Sequence, residues 1–460
     1  MIGYDMLTAM LPEHLLLLGI VLLILLQIAG RARRIAGPVA LAAVLAAALA
    51  AARLSLDGYS AAPFAGHFSV DAATLLAKAL VLALALPVLL MAHDEFEGVE
   101  FPALLLSSLY GVGLMLSADS FLTLFLGLEI MSLPVYVLVL LAYKRPQSAE
   151  AALKYLVLGG TSTAMMLMGM SLLYGGSGSM DIAVFARALG SPDPMAGAAV
   201  VLVMLAFFLK AAIVPFHAWA PDAYEGASVP VTAYMAVVVK AGVLLAALRV
   251  FGPAPLASPM LELVAVLPLA SMAWGNLAAM RQNNLRRMVA YSSIAHAGYL
   301  FYALLGAPEG RQQAVVFYLL AYGVMNLLVF AALPSAADDR ERDRLDNLKG
   351  LFHRSPLAAL MIGMAMLSLA GLPPFPGFVA KFLIFKNVVA AGHPVYAVLG
   401  LLGSYLGLYF YLRVIQFMFM SPDAPLAAAP LRRHALGASL PCVTVALLVA
   451  VFPGWVIAHL

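Results

Sequence analysis

FFLKAAIVPFHAWAPD (Phe207 to Asp222) and SLAGLPPFPGFVAKF (Ser368 to Phe382) share an aliphatic-X-Pro-Phe core set inside a long apolar stretch, with a lysine close to the prolines in each. Proline removes a backbone donor and breaks the helical ladder. In a bilayer, the carbonyls freed by such a break are tolerated only where protein or a water-filled cavity meets them. Two breaks of one type, each beside a basic side chain, therefore read as two polar openings in an apolar medium. Lys210 precedes its break and Lys381 follows its own.

The rest of the chain supplies that medium. Of its 460 residues, 64% are hydrophobic and only 11% charged, with a mean hydropathy of +0.99, too apolar for a surface that water must cover. A water-soluble enzyme is excluded. The single cysteine, Cys442, excludes an intramolecular disulfide, a cysteine zinc site and a cysteine-ligated iron–sulfur cluster. No phosphate-cradling glycine loop, metal-spaced histidine cluster or nucleotide motif is present, so the chain carries no energy source of its own. The segment from Leu15 to Ala29 is apolar but is followed, not preceded, by Arg31, Arg33 and Arg34, which reads as a first span and not a cleaved signal.

Apolar windows predict an all-α polytopic membrane protein of about fourteen transmembrane helices, at 12–29, 35–52, 70–91, 103–117, 121–142, 153–174, 196–217, 229–250, 260–279, 288–305, 314–334, 356–391, 395–419 and 439–457. The two breaks then fall in helices 7 and 12. Each is the fourth helix of a group of five, helices 4–8 and 9–13, and an odd number of crossings inverts the second group relative to the first. The predicted organisation is residues 1–102 for helices 1–3, 103–250 for the first repeat, 251–419 for the second, and 420–460 for a cytoplasmic loop and helix 14.

The cations orient these helices. Loops after odd-numbered helices hold fifteen of the 26 Lys and Arg, including Arg31, Lys144, Arg286, Arg340, Lys349 and Arg432; loops on the other side hold Arg53, Arg187, Arg249 and Arg311. The positive-inside rule places the first set in the cytoplasm and both termini on the periplasmic side. The acidic loop His93 to Glu100 and the charged run DDRERDRLDNLKG (Asp338 to Gly350) read as solvated cytoplasmic loops.

Lys78, Lys154, Lys210, Lys240, Lys381, Lys386 and Arg413 lie within the predicted helices. A lysine in the bilayer costs several kcal/mol unless it faces a polar cavity or a partner. Unlike an arginine, a buried lysine can give up its proton. Glu129, in FLGLEIMSLPVY, is the only acid well inside a predicted span and needs a cation. With Lys210, Lys240 and His296 it sketches a row of titratable groups at mid-membrane depth. The plainer readings are a structural ion pair for Glu129 and Lys210, an interhelical hydrogen bond for His296, and snorkelling for Lys154, Lys386 and Arg413. For Lys78 the residues favour neither reading.

The strings LEIMSLPVY, EAALKYLVLGGTSTAMMLMGMSLLYGGSG, FHAWAPDAYEGASVPVTAY, RRMVAYSSIAHAGYL and SLAGLPPFPGFVAKF resemble the subunit N family of the proton-translocating NADH-quinone oxidoreductase, respiratory complex I. The resemblance runs from about helix 3 to helix 13. It implies the antiporter-like fold, with Glu129 and Lys210 as the coupled pair, Lys240 as the central lysine and Lys381 as the exit-side lysine. Lys154, His217 and His296 match accessory or connecting positions. No cofactor bound by this chain is implied; NADH, FMN, iron–sulfur clusters and quinone belong to partner subunits. The implied partners are the bilayer, antiporter-like subunit M and small subunits A, J and K, in an obligate hetero-oligomer of the bacterial cytoplasmic (inner) membrane, with no nucleic acid. Subunits of multisubunit sodium/proton antiporters share the fold and stand as the alternative, and a passive scaffold is a third reading that six membrane lysines oppose.

Overall fold

The computed structural model describes residues 2–30, 32–93, 95–142, 145–189, 193–252, 258–334, 343–421 and 433–460. Arg31, Lys144, Arg340, Arg342 and Arg432, with the part of the charged run from Asp338 to Arg342, lie outside the described residues. What is described is mostly helical. Among the described residues, eleven helices are long and apolar enough to cross a membrane, and three shorter apolar ones, Glu100–Leu116, Pro194–Lys210 and Pro356–Ala370, accompany them.

Several details differ from the sequence expectation, each for a local reason. A short helix, Ile2–Ala9, precedes the first span Leu11–Ile28. The loop after Ala32–Leu56 is no simple coil, since strands Ala61–Phe64 and Phe68–Val70 pair antiparallel, turning at Gly66 with φ 75°. Among the described residues the fold is thus helical with one hairpin, and Phe68 and Val70 fasten that hairpin to a small core with Ala9 and Leu75. The predicted helix 6 extends over Gln147–Ser177 until Gly178, at φ 67°, caps it. The C-terminal helix stops at Val451 ahead of Pro453, which disfavours helical geometry in the residue before it and opens the short helix Pro453–Ala458.

The helices cluster into two compact units. In the first (residues 1–89, 95–211 and 238–263), Glu100–Leu116 and Phe121–Leu140 approach through glycine. A Cβ on Gly111 would fall 2.3 Å from the Met131 nitrogen, and one on Gly127 2.7 Å from the Met115 nitrogen. Backbones this close leave no room for a side chain, so Gly111→Val should destabilise the helix pair by about 1–3 kcal/mol or more. The expected result is a lower melting temperature of the detergent-extracted protein; an unchanged melting curve would show that the pair can part at no cost.

In the second unit (residues 90–94, 212–237 and 264–460), Asn284 caps Leu285–Phe301 by accepting from the Arg287 nitrogen at 3.1 Å. Arg286, fully buried, donates to Asp343 and to the Ala227 carbonyl, while Arg287 reaches Asp222 at 2.7 Å and Glu225 at 2.9 Å. These bonds tie the start of that helix to the short helix Trp219–Gly226.

Candidate proton-carrying sites

Both predicted breaks exist. Pro194–Lys210 ends at the lysine, and no helix resumes before Trp219; Ala212 inside the gap is the one non-glycine residue at positive φ (62°) among those described. Such backbone costs about 1–2 kcal/mol and tends to persist at functional positions. The second break separates Pro356–Ala370 from Pro376–Ala390, with Gly371 at φ 86° closing the first half. The Val214–Pro215 and Pro373–Pro374 peptides are both cis.

In the first unit, Glu129, Ser132 and Tyr136 stand at i, i+3 and i+7 on Phe121–Leu140, one face of one helix. Lys210 meets that face. Its Nζ donates to Ser132 Oγ at 3.0 Å, to Tyr136 Oη at 3.4 Å and to Glu129 Oε1 at 3.5 Å. Thr163 donates to the same carboxylate oxygen at 2.7 Å. The ion pair is longer than the 2.7–2.9 Å of a tight charge-assisted bond, so the ammonium is shared between a carboxylate and two hydroxyls instead of locked to one. Tyr136 fits because residue 159 is glycine: a Cβ there would overlap its hydroxyl at 2.0 Å. The lysine side chain is 5% exposed and the glutamate 21%, which leaves the carboxylate as the member of the pair that reaches outward.

Lys240 opens the helix Lys240–Phe251 directly after a π-helical turn, Met235–Val239, and is buried. That helix packs on Glu100–Leu116 and Pro194–Lys210. Lys154 lies apart from these groups, half exposed and paired with Glu150 one turn earlier at 2.7 Å.

In the second unit, His296 is buried between two tyrosines, with Nδ1 2.7 Å from Tyr318 Oη and Nε2 3.1 Å from Tyr411 Oη; Tyr411 in turn lies 2.5 Å from Ser292 Oγ. Lys381 sits at the second break and donates to the carbonyls of Leu369 and Ala370, at 3.0 and 3.1 Å, and to Ser404 Oγ at 2.8 Å. It thereby caps the helix end that the prolines left open. The Tyr299 ring joins the two: Lys381 Nζ lies 5.1 Å from its centroid and His296 meets it edge-on at 5.6 Å. Asn276 anchors the Tyr299 hydroxyl at 3.0 Å. A cavity of about 540 Å³ adjoins Lys381, lined also by Gly371, Phe382, Lys386, Ser404 and Tyr405. His217 accepts from Trp274 Nε1 through Nε2 at 2.9 Å. Trp only donates, so the His217 proton resides on Nδ1.

Reasoning from sequence overlooked the hydroxyl partners. Ser132 and Tyr136 repeat the spacing of Glu129, so helical periodicity marks them once that face is chosen, whereas the His296 partners Tyr318 and Tyr411 come from other helices. Glu129 remains the one acid well inside a predicted span, but Glu13, in the first turn of Leu11–Ile28, is also fully buried, against Lys78 at 2.6 Å. Arg413 bonds the Met280 and Gln282 carbonyls and Asn283, a structural part, and Lys386 is exposed at the cavity rim. Among the described residues no group of three or more His, Cys, Asp or Glu side chains comes together as a metal site.

Residues 118–407 match the family described as NADH:quinone oxidoreductase/Mrp antiporter, TM. A protein from Pelobacter propionicus named NADH-quinone oxidoreductase subunit N is 38% identical, the match covering 93% of this chain and 91% of that one. Another of that name, subunit N 1 from Sorangium cellulosum, is 43% identical over 77% and 74% of the two chains. Among solved structures, a chain of respiratory complex I from Thermus thermophilus with bound aureothin superposes with a TM-score of 0.84 at 35% identity, covering 97% of this chain and 98% of that one. A chain of the Mrp complex from Dietzia sp. DQ12-45-1b, 24% identical, shares the fold with a TM-score of 0.83 over 97% and 96%.

Proposed function

The chain belongs to the subunit N family of NADH-quinone oxidoreductase, within the NADH:quinone oxidoreductase/Mrp antiporter group of membrane subunits, and from that premise we propose that it is a proton-moving module driven by NADH oxidation and quinone reduction in partner subunits. It is a multi-pass membrane subunit of an oxidoreductase complex. On this reading the three shorter apolar helices complete fourteen crossings in two inverted five-helix repeats, both termini face the periplasm, and subunits M, A, J and K are the neighbours in the bacterial inner membrane. NADH, FMN, iron–sulfur clusters and quinone stay with the partners.

The observation that carries the proposal is the Glu129–Lys210 contact, a buried lysine shared between a partly exposed carboxylate and neutral hydroxyls. With the carboxylate close, the ammonium is stabilised. When coupling to a neighbouring subunit draws the carboxylate away, an ammonium in an apolar site gives up its proton. Lys240 is the next acceptor, and the His296–Tyr299–Lys381 group discharges the proton outward. His217 and Lys154 are accessory. The hydroxyls of Ser132, Tyr136, Tyr318 and Tyr411 can each accept one proton and donate another, which suits them to short relays.

The test is NADH-driven proton uptake by inverted vesicles carrying Lys210→Ala, with sodium-dependent proton exchange measured in the same preparation. Loss of NADH-driven uptake with sodium exchange unchanged is the expected result. Intact NADH-driven uptake with lost sodium exchange would instead make the chain an antiporter subunit.

A further inference from the structure

Glu13 and Lys78 form a second buried ion pair, in the first unit, that the mechanism above does not use. Their charged atoms lie 2.6 Å apart and both side chains are 1% exposed. Removing two charges from solvent costs several kcal/mol per ion, and a pair kept only as a brace recovers this by saturating its remaining valences. Here they are not saturated. Beyond the contact with each other, neither the Glu13 oxygens nor Lys78 Nζ has a hydrogen-bond partner among the described residues. Gly113 makes the room, because a Cβ at that position would fall 2.6 Å from Glu13 Oε1. A cavity of about 10 Å³ lies against the pair, bounded also by Leu16, Leu82, Leu109 and Leu116, close to the least volume that admits one water.

A polar cluster begins one helical turn from the pair. Thr74 precedes Lys78 by one turn on Ala72–Ala92 and so shares its face. Arg249 donates to Thr74 Oγ1 at 3.2 Å, to Ser69 Oγ at 3.1 Å and to Asp119 Oδ1 at 2.7 Å, and Ser69 donates to the same Asp119 oxygen at 2.8 Å. Asp119 is 30% exposed, so this polar cluster runs from one turn above the buried pair to the surface beside the hairpin. A guanidinium does not release its proton; Arg249 holds the cluster while the hydroxyls and the carboxylate exchange. Tyr110 and Arg249 also feel the pair's charge.

We propose that Glu13 and Lys78 are a second proton-exchanging pair, served from the hairpin side of the membrane through Asp119, Ser69 and Thr74. One proton arriving by this route converts the Glu13 carboxylate to the acid and leaves Lys78 as ammonium; its return along the same route restores the ion pair. On the topology set by the cationic loops, this side is the periplasmic one. The inference rests on the reading of the chain as a proton-moving subunit.

The test uses the assembled complex in inverted vesicles, comparing protons taken up per NADH oxidised in wild type, the double variant Glu13→Gln with Lys78→Gln, Asp119→Asn, and Glu129→Gln as a control. The double variant removes both charges with only a modest loss of volume at position 78 and leaves two neutral amides, so a mere brace would keep full coupling. The expected result is a reduced proton yield per NADH in both the double variant and Asp119→Asn. A wild-type yield in either, with Glu129→Gln impaired, overturns this inference alone. A wild-type yield in Glu129→Gln overturns the broader reading. Should the double variant not assemble, Asp119→Asn, remote from the buried pair, decides the matter in the same assay.

Discussion

Glu129→Gln is expected to lower NADH-driven proton uptake by about tenfold or more while leaving the protein assembled. Glutamine occupies the same volume and its oxygen still accepts from Thr163, now 2.7 Å from the carboxylate, so packing on Gln147–Ser177 survives. What disappears is the negative charge beside Lys210. A hydrogen bond to a charged group contributes about 1.5–3 kcal/mol, and each 1.4 kcal/mol is a factor of ten in rate. With neutral groups alone around it, the ammonium loses the contrast between a bound and a withdrawn carboxylate on which the proposed cycle depends. Proton uptake in inverted vesicles, normalised to assembled complex, measures this, and wild-type uptake would remove Glu129 from the mechanism.

Lys381→Met and Lys381→Arg separate a capping role from proton transfer at the second break. Methionine takes away the donor that serves the Leu369 and Ala370 carbonyls, and each unsatisfied buried carbonyl costs about 1–3 kcal/mol. The expected outcome is loss of pumping together with lowered thermal stability. Arginine restores donors and positive charge but stays protonated; Gly371, whose Cβ position would lie 3.1 Å from the Lys381 chain, leaves space for it only with adjustment. Lys381→Arg should therefore recover stability and remain defective in proton uptake. Recovery of both would show that Lys381 merely caps the break.

Much of the candidate site was legible in advance because the bilayer makes each ionisable group conspicuous. Six lysines within apolar windows and one acid well inside them are a short list, and Glu129, Lys210, Lys240 and Lys381 all belong to it. The hydroxyls were less legible, since Ser, Thr and Tyr occur in membrane helices at small cost and carry no signal until a helical face is chosen. Glu13 carries no such signal, because an acid in the first turn of a helix is unremarkable at a water interface, and only its packing against Lys78 and Gly113 shows that it is buried.

By itself the amino-acid sequence determined the membrane class, the broken helices and their lysines, since apolar length and proline are properties of a single segment and act without knowledge of neighbours. The tertiary structure alone decided which charges meet. Lys210 lies 81 residues from Glu129 along the chain, and Lys78 is 65 residues beyond Glu13. Pairing across such separations depends on which helix faces oppose one another, down to the glycines at 111, 113 and 159 that let backbone, carboxylate or hydroxyl approach. That choice is made by packing many faces at once, and no one-dimensional pattern contains it.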